Sequence, residues 1–473
     1  MLFNSLDFLL FFPIVTLIYF LLPHRFRWVH LLAASCIFYM WFIPVFILIL
    51  IFTITVDYFA GIAIEKASGR RRKAFLVVSL ACNLGVLIVF KYAHFLSLQI
   101  NSIFHLLHVP ASVPLWNILL PIGLSFHTFQ AMSYTIEVYR GNYRAERHFG
   151  IFALYVMFYP QLVAGPIERP KGLLRQLRDK HVFNRSDLGV GLRLMLWGFF
   201  KKLVIADRLA GYVNYVYGNV DHLSSWYIVL AVVFFSFQIY CDFSGYTDIA
   251  IGAARTMGFR LAPNFNRPYS SANIREFWTR WHISLSSWFR DYVYIPMGGN
   301  RVSKGRKYVN LLVVFLLSGV WHGAGWNFII WGLLHGLVMV AWVMYTDRRG
   351  QEAGRDKGGG WLGRLAAVVW TFGLVSVAWV FFRCADVGQA VHVLSRLAGF
   401  SGDIHYEEQI AKTTIVLGCL FIGAMLLLER MLSPVMEELQ VRWWADVAFC
   451  VFALGAILLF GVFGSQPFIY FQF

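Results

Sequence analysis

The feature that most constrains this chain is the recurrence, along its whole length, of apolar runs about 20 residues long, separated by loops that hold most of the charge. Inside hydrocarbon a backbone must satisfy its own N–H and C=O groups, so such runs read as bilayer-crossing helices. They fall near 5–23, 28–43, 44–65, 74–96, 115–137, 187–206, 224–254, 308–325, 326–345, 361–382, 411–430 and 443–464. This predicts an all-α polytopic membrane protein of roughly eleven or twelve transmembrane helices plus re-entrant or interfacial helices. The first run lacks a basic leader and a small-residue cleavage site and is read as a retained span.

The loops set the orientation. The chain carries a formal net charge of +16, a balance that in a soluble protein would suggest nucleic acid. Here the basic residues cluster in alternate loops: Arg25 and Arg27; Lys66 and Arg70 to Lys73; Arg140, Arg144 and Arg147; Arg169 through Arg185; Arg255 through Lys307; Arg348 through Arg364. The intervening loops near 97–113 and 207–223 hold almost none, which is the positive-inside pattern and puts the basic loops in the cytoplasm and the N-terminus outside. Six scattered cysteines have the spacing of neither a zinc site nor a disulfide framework and read as small hydrophobes.

We read one integral-membrane domain over 1–473, with no soluble domain or internal repeat, a signature-bearing core at about 115–345 and a looser helical tail at 361–473. The Gly-rich stretch from Arg348 to Gly360 reads as a flexible loop. Two segments do not fit simple crossings. Residues 150–168 are apolar but flanked by basic residues on both sides, which predicts a re-entrant or interfacial element. Residues 261–300 mix arginines with Trp278, Trp281, Trp288, Phe289, Tyr292 and Tyr294, as expected of helices half-buried at the cytoplasmic face. Broken backbone at membrane depth survives only where protein or a water-filled cavity covers it, so the chain is expected to enclose a funnel open to the cytoplasm.

Ionisable residues at that depth are costly and by default functional. His322 lies in the apolar run that ends Val320-Trp321-His322-Gly323-Ala324-Gly325. Counted from a helix start near Tyr308, fourteen residues at about 1.5 Å each place it roughly 21 Å from the cytoplasmic edge. The glycines at 319, 323 and 325 permit close approach of a helix or a ligand. A neutral imidazole there can act as a base toward a hydroxyl, or simply bridge packed helices. His282 stands beside the basic surface in Arg280-Trp281-His282-Ile283-Ser284, as a catalytic group or an interfacial one. Arg280, Arg290 and Arg301 are phosphate-binding candidates as well as positive-inside anchors. Asp242 and Asp248, in a run that also holds Tyr240, need partners in an apolar stretch, and pairing with an arginine is the expected role. His127, Gln130 and Tyr134 recur near helical spacing and either line a polar tunnel or form a buried polar knot. His335 and Lys91 take a structural reading only.

Together these runs resemble the membrane-bound O-acyltransferase family, in particular its bacterial alginate O-acetyltransferase branch. The matching pieces are Pro121 to Gln130 with Tyr134 and Val138 to Gly141; Phe158 to Gln161 with Ala164-Gly165-Pro166; Asp242 to Asp248; Arg267-Pro268-Tyr269; Trp278 to Arg301; and Trp321-His322-Gly323. The resemblance covers about 1–345 strongly, and the shared order of the motifs makes it specific. It implies an acetyl-CoA-dependent transferase with no permanently bound cofactor, in which His322 is the catalytic histidine and His282 the second signature residue. Arg280, Arg290, Trp278 and Ser284 would contact the donor; His127, Gln130, Tyr240, Asp242, Asp248, Trp321 and Asn327 would build the central tunnel that the resemblance implies. It also implies the bacterial inner membrane, an SGNH-type periplasmic partner protein and an exported glycan of the alginate, cellulose or peptidoglycan type. The rival activities are teichoic-acid D-alanylation, acylation of a lipid or protein, and, more remotely, polysaccharide or ion transport.

Overall fold

The computed structural model describes residues 1–163, 165–349, 360–399, 412–431, 443–463 and 468–471, and among them every regular element is helical. The loop expected at 348–360 falls almost wholly outside the described residues. Six helical segments are long and apolar enough to cross a membrane unaided: Pro44–Lys66, Gly69–Leu106, Ser225–Thr256, Trp326–Arg349, Trp361–Arg383 and Lys412–Arg430. Two shorter apolar helices, Leu6–Leu21 and Asp446–Phe460, correspond to the first and last expected runs. The chain is an all-α, multi-pass membrane protein.

The contacts divide the chain into two compact units, Met1–Met195 with Tyr246–Ala262, and Leu196–Gly245 with Pro263–Phe473. The first holds α1 (Leu6–Leu21), α2 (His24–Met40), α3 (Ile47–Lys66), α4 (Gly69–Leu87), α5 (Ala93–Leu106), α6 (Leu124–Tyr139), α7 (Phe149–Met157), α8 (Tyr159–Leu162), α9 (Pro170–Arg178) and most of α10 (Arg185–Phe199). The run at 115–137 becomes helical only from Leu124, after Pro110, Pro114 and Pro121 and a left-handed Gly123 at φ 76°. Its 16 residues span only about 24 Å. Residues 150–168 form the two short helices α7 and α8 rather than one crossing. The α3, α4 and α6 helices are tied by a buried polar knot. Ser79 donates to Asp57 Oδ1 at 2.6 Å and meets Thr135 Oγ1 at 3.0 Å, while Asn83 Nδ2 donates to both Asp57 oxygens.

The second unit contains α11 (Asp207–Gly218), the first two-thirds of α12 (Ser225–Thr256), α13 (Ile274–Arg280), α14 (Ile283–Phe289), α15 (Lys304–His322), α16 (Trp326–Arg349), α17 (Trp361–Arg383), α18 (Val387–Ala398), α19 (Lys412–Met431) and α20 (Trp443–Phe460). A π-helical stretch, Phe200–Ala206, precedes α11. The aromatic segment at 261–300 folds into short pieces, a 3-10 turn at Pro268–Ser270, α13, α14 and a π turn at Arg290–Tyr294, and Trp281, Trp288 and Phe289 are buried in the protein rather than half-buried as expected. α15 and α16 form a hairpin whose open end is basic on both strands, with Lys307 paired to Asp347 across it.

Candidate active site

The hairpin of α15 and α16 sets the position of His322. A β-carbon at Gly319 would stand 2.4 Å from the Phe328 carbonyl oxygen, and one at Gly332 2.4 Å from that of Phe315, so only glycine lets the two backbones approach this closely. His322 is not in the interior of its helix, as the unbroken apolar run suggested; it is the last residue of α15. Gly323 and Gly325 make the break before α16 restarts at Trp326, because a side chain at Gly323 would collide with the Phe328 ring. Eighteen residues from Lys304 at about 1.5 Å each put His322 roughly 27 Å along the helix. The C-terminal end of a helix dipole favours positive charge, which suits an imidazole able to take up a proton.

His282 is placed by an irregular turn. It adopts a left-handed backbone, φ 42° and ψ 55°, as the residue that starts α14. Non-glycine residues pay for that conformation, and its persistence marks a site that the surroundings over-determine. The clamp is Asn264: its carbonyl accepts from Ile283 N at 2.9 Å, and its Oδ1 lies 3.4 Å from Ser284 N. His282 is fully buried, and burial favours its neutral form.

Five rings close a circuit that includes both histidines. His282 meets Phe243 edge-on at 4.7 Å; Phe243 meets Tyr470 at 4.6 Å; Tyr470 meets His322 at 5.7 Å; His322 meets Trp321 at 4.9 Å; and Trp321 meets His282 at 6.1 Å. Trp331, with no exposed surface, backs His322 at 4.8 Å and also stands 4.9 Å from His335. Phe382 closes another side of His322 at 5.4 Å.

A cavity of about 490 Å³ in the same unit has Arg275, Arg290 and the Lys307–Asp347 pair among its lining, together with Tyr294 and Asn300. Its walls become apolar through Leu311, Val314, Phe315, Met339 and Val343 and include Ser318, one helical turn before His322. Trp278 forms part of the wall and reaches 6.0 Å from Trp331.

Of the residues singled out in the sequence, the fold brings Trp278 and Arg290 to this cavity and His282, His322 and Trp321 to the aromatic circuit. Arg280 is engaged elsewhere, pairing with Glu276 at 2.6 Å and donating to Ser270 Oγ at 2.7 Å. Ser284 is buried beside Asn264. Asn327 donates to the carbonyls of Phe381 and Cys384, fastening α16 to the end of α17. Tyr240 donates to Glu429 at 2.6 Å. Asp242 does not pair with an arginine: Lys202 bridges it, at 2.7 Å, and Asp207, at 2.8 Å. His127 and Gln130 are buried in the first unit, where Gln130 donates to the Tyr155 carbonyl, and Asp248 is half-buried in that unit. Arg275, Lys307, Asn264, Lys202 and Tyr470 were missed by the sequence reading. Lys202 carried a usable signal, a lysine inside an apolar run; Tyr470 carried none.

Residues 148–351 match the membrane-bound O-acyltransferase family. The chain is 40% identical to the probable alginate O-acetylase AlgI of Pseudomonas aeruginosa over 406 residues, 85% of this chain and 75% of that protein. It is 34% identical to the peptidoglycan O-acetyltransferase of Helicobacter pylori over 79% of this chain and 74% of that protein. The teichoic acid D-alanyltransferase of Bacillus subtilis is 29% identical over 49% of this chain and 61% of that protein.

Proposed function

Since the chain belongs to the membrane-bound O-acyltransferase family, we propose that this acyltransferase takes acetyl groups from acetyl-CoA on the cytoplasmic side and transfers them across the bacterial inner membrane, for O-acetylation of an exported polysaccharide. The observation that carries this reading is the cavity with a basic, polar rim and an apolar depth that includes Ser318, one turn from His322. A CoA thioester has that same division: phosphates at one end, suited to Arg275 and Arg290, and a slender, largely uncharged arm at the other. The polysaccharide acceptor rests on the two O-acetyl relatives, which match over about four-fifths of this chain, against half for the D-alanyl relative.

The chemistry follows from the side chains. His322 takes the proton of the acceptor hydroxyl as its oxygen attacks the thioester carbonyl. The tetrahedral intermediate collapses, the C–S bond breaks, and the imidazolium returns its proton to the departing thiolate. The end of α15 favours the imidazolium while it exists. His282, held neutral, orients the thioester or donates toward the developing oxyanion. The aromatic circuit keeps water from the thioester. A periplasmic acetyltransferase of the SGNH type would carry the group onward to an alginate-, cellulose- or peptidoglycan-like glycan.

The test is CoA release from acetyl-CoA by the purified protein in detergent, with and without its periplasmic partner, in competition with palmitoyl-CoA and a carrier-protein thioester. Partner-dependent release lost in His322→Ala, with donor binding retained, supports the proposal. Preference for the carrier-protein thioester would replace it with D-alanyl-type transfer. Wild-type release in His322→Ala would remove His322 from the chemistry.

A further inference from the structure

Lys202, Asp207 and Asp242 form a buried ionic cluster, their side chains 1%, 3% and 5% exposed. Desolvating three ions is an expensive way to join helices that apolar residues would join as well, so the cluster calls for a purpose beyond stability. Its local backbone is also unusual. Lys202 sits in the seven-residue π-helical stretch Phe200–Ala206, a geometry that concentrates at functional sites.

The free edge of the cluster has a defined occupant. Lys202 uses Asp242 Oδ1, and Asp242 Oδ2 accepts from the backbone N–H of Ile469 at 2.7 Å. Upstream, the same chain end is tethered to the π-helical stretch, where Val462 N donates to Leu203 O at 3.0 Å, and Arg208 donates to the Phe460 carbonyl. Phe468 and Ile469 are buried, and Phe468 packs on Phe243 at 5.5 Å. The next residue, Tyr470, is the one that closes the aromatic circuit between Phe243 and His322.

We propose that Lys202 and Asp242 are positioning residues for catalysis: they hold the segment 468–471 by its backbone so that the Tyr470 ring stays packed between Phe243 and His322. A side-chain anchor would tie this to one residue type at 469; a carboxylate on a backbone N–H fixes the chain itself, and Lys202 fixes the carboxylate. Asp242→Leu deletes both acceptor oxygens at similar volume and leaves Lys202 paired with Asp207. A purely structural cluster predicts at most a change in stability with kcat intact, whereas a clamp predicts a catalytic loss.

The proposal rests on the acyltransfer reading of His322, and the test separates the two. Ile469→Pro deletes the N–H without touching the charges, at the first residue of a 3-10 turn where proline is tolerated. Ile469→Ala, which loses the side chain but keeps the N–H, is its reference. Docking is read independently of activity, as the labelling rate of Phe468→Cys by a thiol reagent, followed by peptide mass spectrometry. Asp242→Leu and Ile469→Pro should each raise the labelling rate of Phe468→Cys, and should lower kcat by about 10- to 100-fold, the scale of an ångström of misplacement, with KM for acetyl-CoA little changed. The double variant should be no worse than either single one, because both break the same link. An unchanged labelling rate of Phe468→Cys in both variants would overturn the clamp. A raised rate with kcat intact would show that the segment is no part of the site. Absence of transfer in the wild-type protein, with protection lost in the variants, would sink the functional reading and leave the clamp standing.

Discussion

Replacing Gly332 with alanine would set a methyl group 2.4 Å from the carbonyl oxygen of Phe315 and 3.1 Å from the Gly319 α-carbon, both rigid backbone atoms. Ordinary contact begins at 3.4 Å, so α15 and α16 must separate by 3.4 − 2.4, or 1.0 Å, at that crossing. Overpacking of this kind costs about 1–3 kcal/mol, and the better helix propensity of alanine returns about 1 kcal/mol, which leaves a net loss of about 0–2 kcal/mol. The effect on rate should be larger than the effect on stability. His322 lies three residues beyond Gly319 on the displaced helix, and an ångström of misplacement at a reacting group costs about 100-fold. Gly336→Ala is the milder comparison: its β-carbon would meet the Phe315 Cβ at 3.1 Å, the Leu312 Cδ2 at 3.3 Å and the Leu312 Cα at 3.6 Å, so a separation of 3.4 − 3.1, or 0.3 Å, suffices there. Gly363→Ala, with nothing within 4 Å, should stabilise α17 and leave the rate alone. The assay is CoA release by each purified variant beside its thermal unfolding curve. Gly332→Ala with a wild-type rate would refute the argument that the glycine contact sets the position of His322.

Glu168 is buried between the Ala262 N–H and the start of α9, and burial raises its pKa from 4.5 to about 7. A raised carboxyl stabilises the fold below the unfolded value and loses that contribution as pH climbs through the folded one, so stability should fall between pH 4.5 and about 7 and then level off. The 2.5-unit difference corresponds to an upper figure of about 3 kcal/mol, and Glu168→Gln should flatten the dependence of unfolding temperature on pH over that window. Arg275→Ala and Arg290→Ala should each raise KM for acetyl-CoA by about 10-fold with kcat nearly unchanged, the loss of one charge-assisted contact, and Arg280→Ala should not; steady-state kinetics at low salt decide between them. Asn264→Ala removes the Oδ1 acceptor but keeps the carbonyl that accepts from Ile283; it should lower kcat by loosening His282 while donor binding persists, which isothermal titration with acetyl-CoA would check.

Several expectations were readable because they depend on local quantities. The spans near 44–65, 224–254, 326–345 and 361–382 appear as long apolar helices because length and hydropathy are properties of the run itself. The broken backbone at 150–168 and 261–300 was legible for the same reason: charge on both flanks, or too many polar groups, rules out a crossing in any context. Residues 115–137 were overextended, since their apolar content outweighed the prolines that delay the helix to Leu124. Both Arg290 and Arg280 are ion-paired, with Asp291 and Glu276, and residue type could not show that Arg290 lines the cavity and Arg280 does not.

By itself the sequence determined that this is a helical membrane protein and that His322 stands out, because an apolar run and an ionisable side chain at depth have the same cost whatever surrounds them. His282, which reads as a residue beside the basic surface, stood out through the family resemblance and is buried only by the fold. Only the tertiary structure decided that His322 ends its helix, that both histidines belong to one aromatic circuit, and that Asp242 answers to Lys202 and to a backbone N–H 227 residues away. The reason is physical. The need for a partner is written in a residue's own chemistry, whereas the identity of that partner is fixed by which helices pack together, and that depends on glycines and turns far from the residue in question.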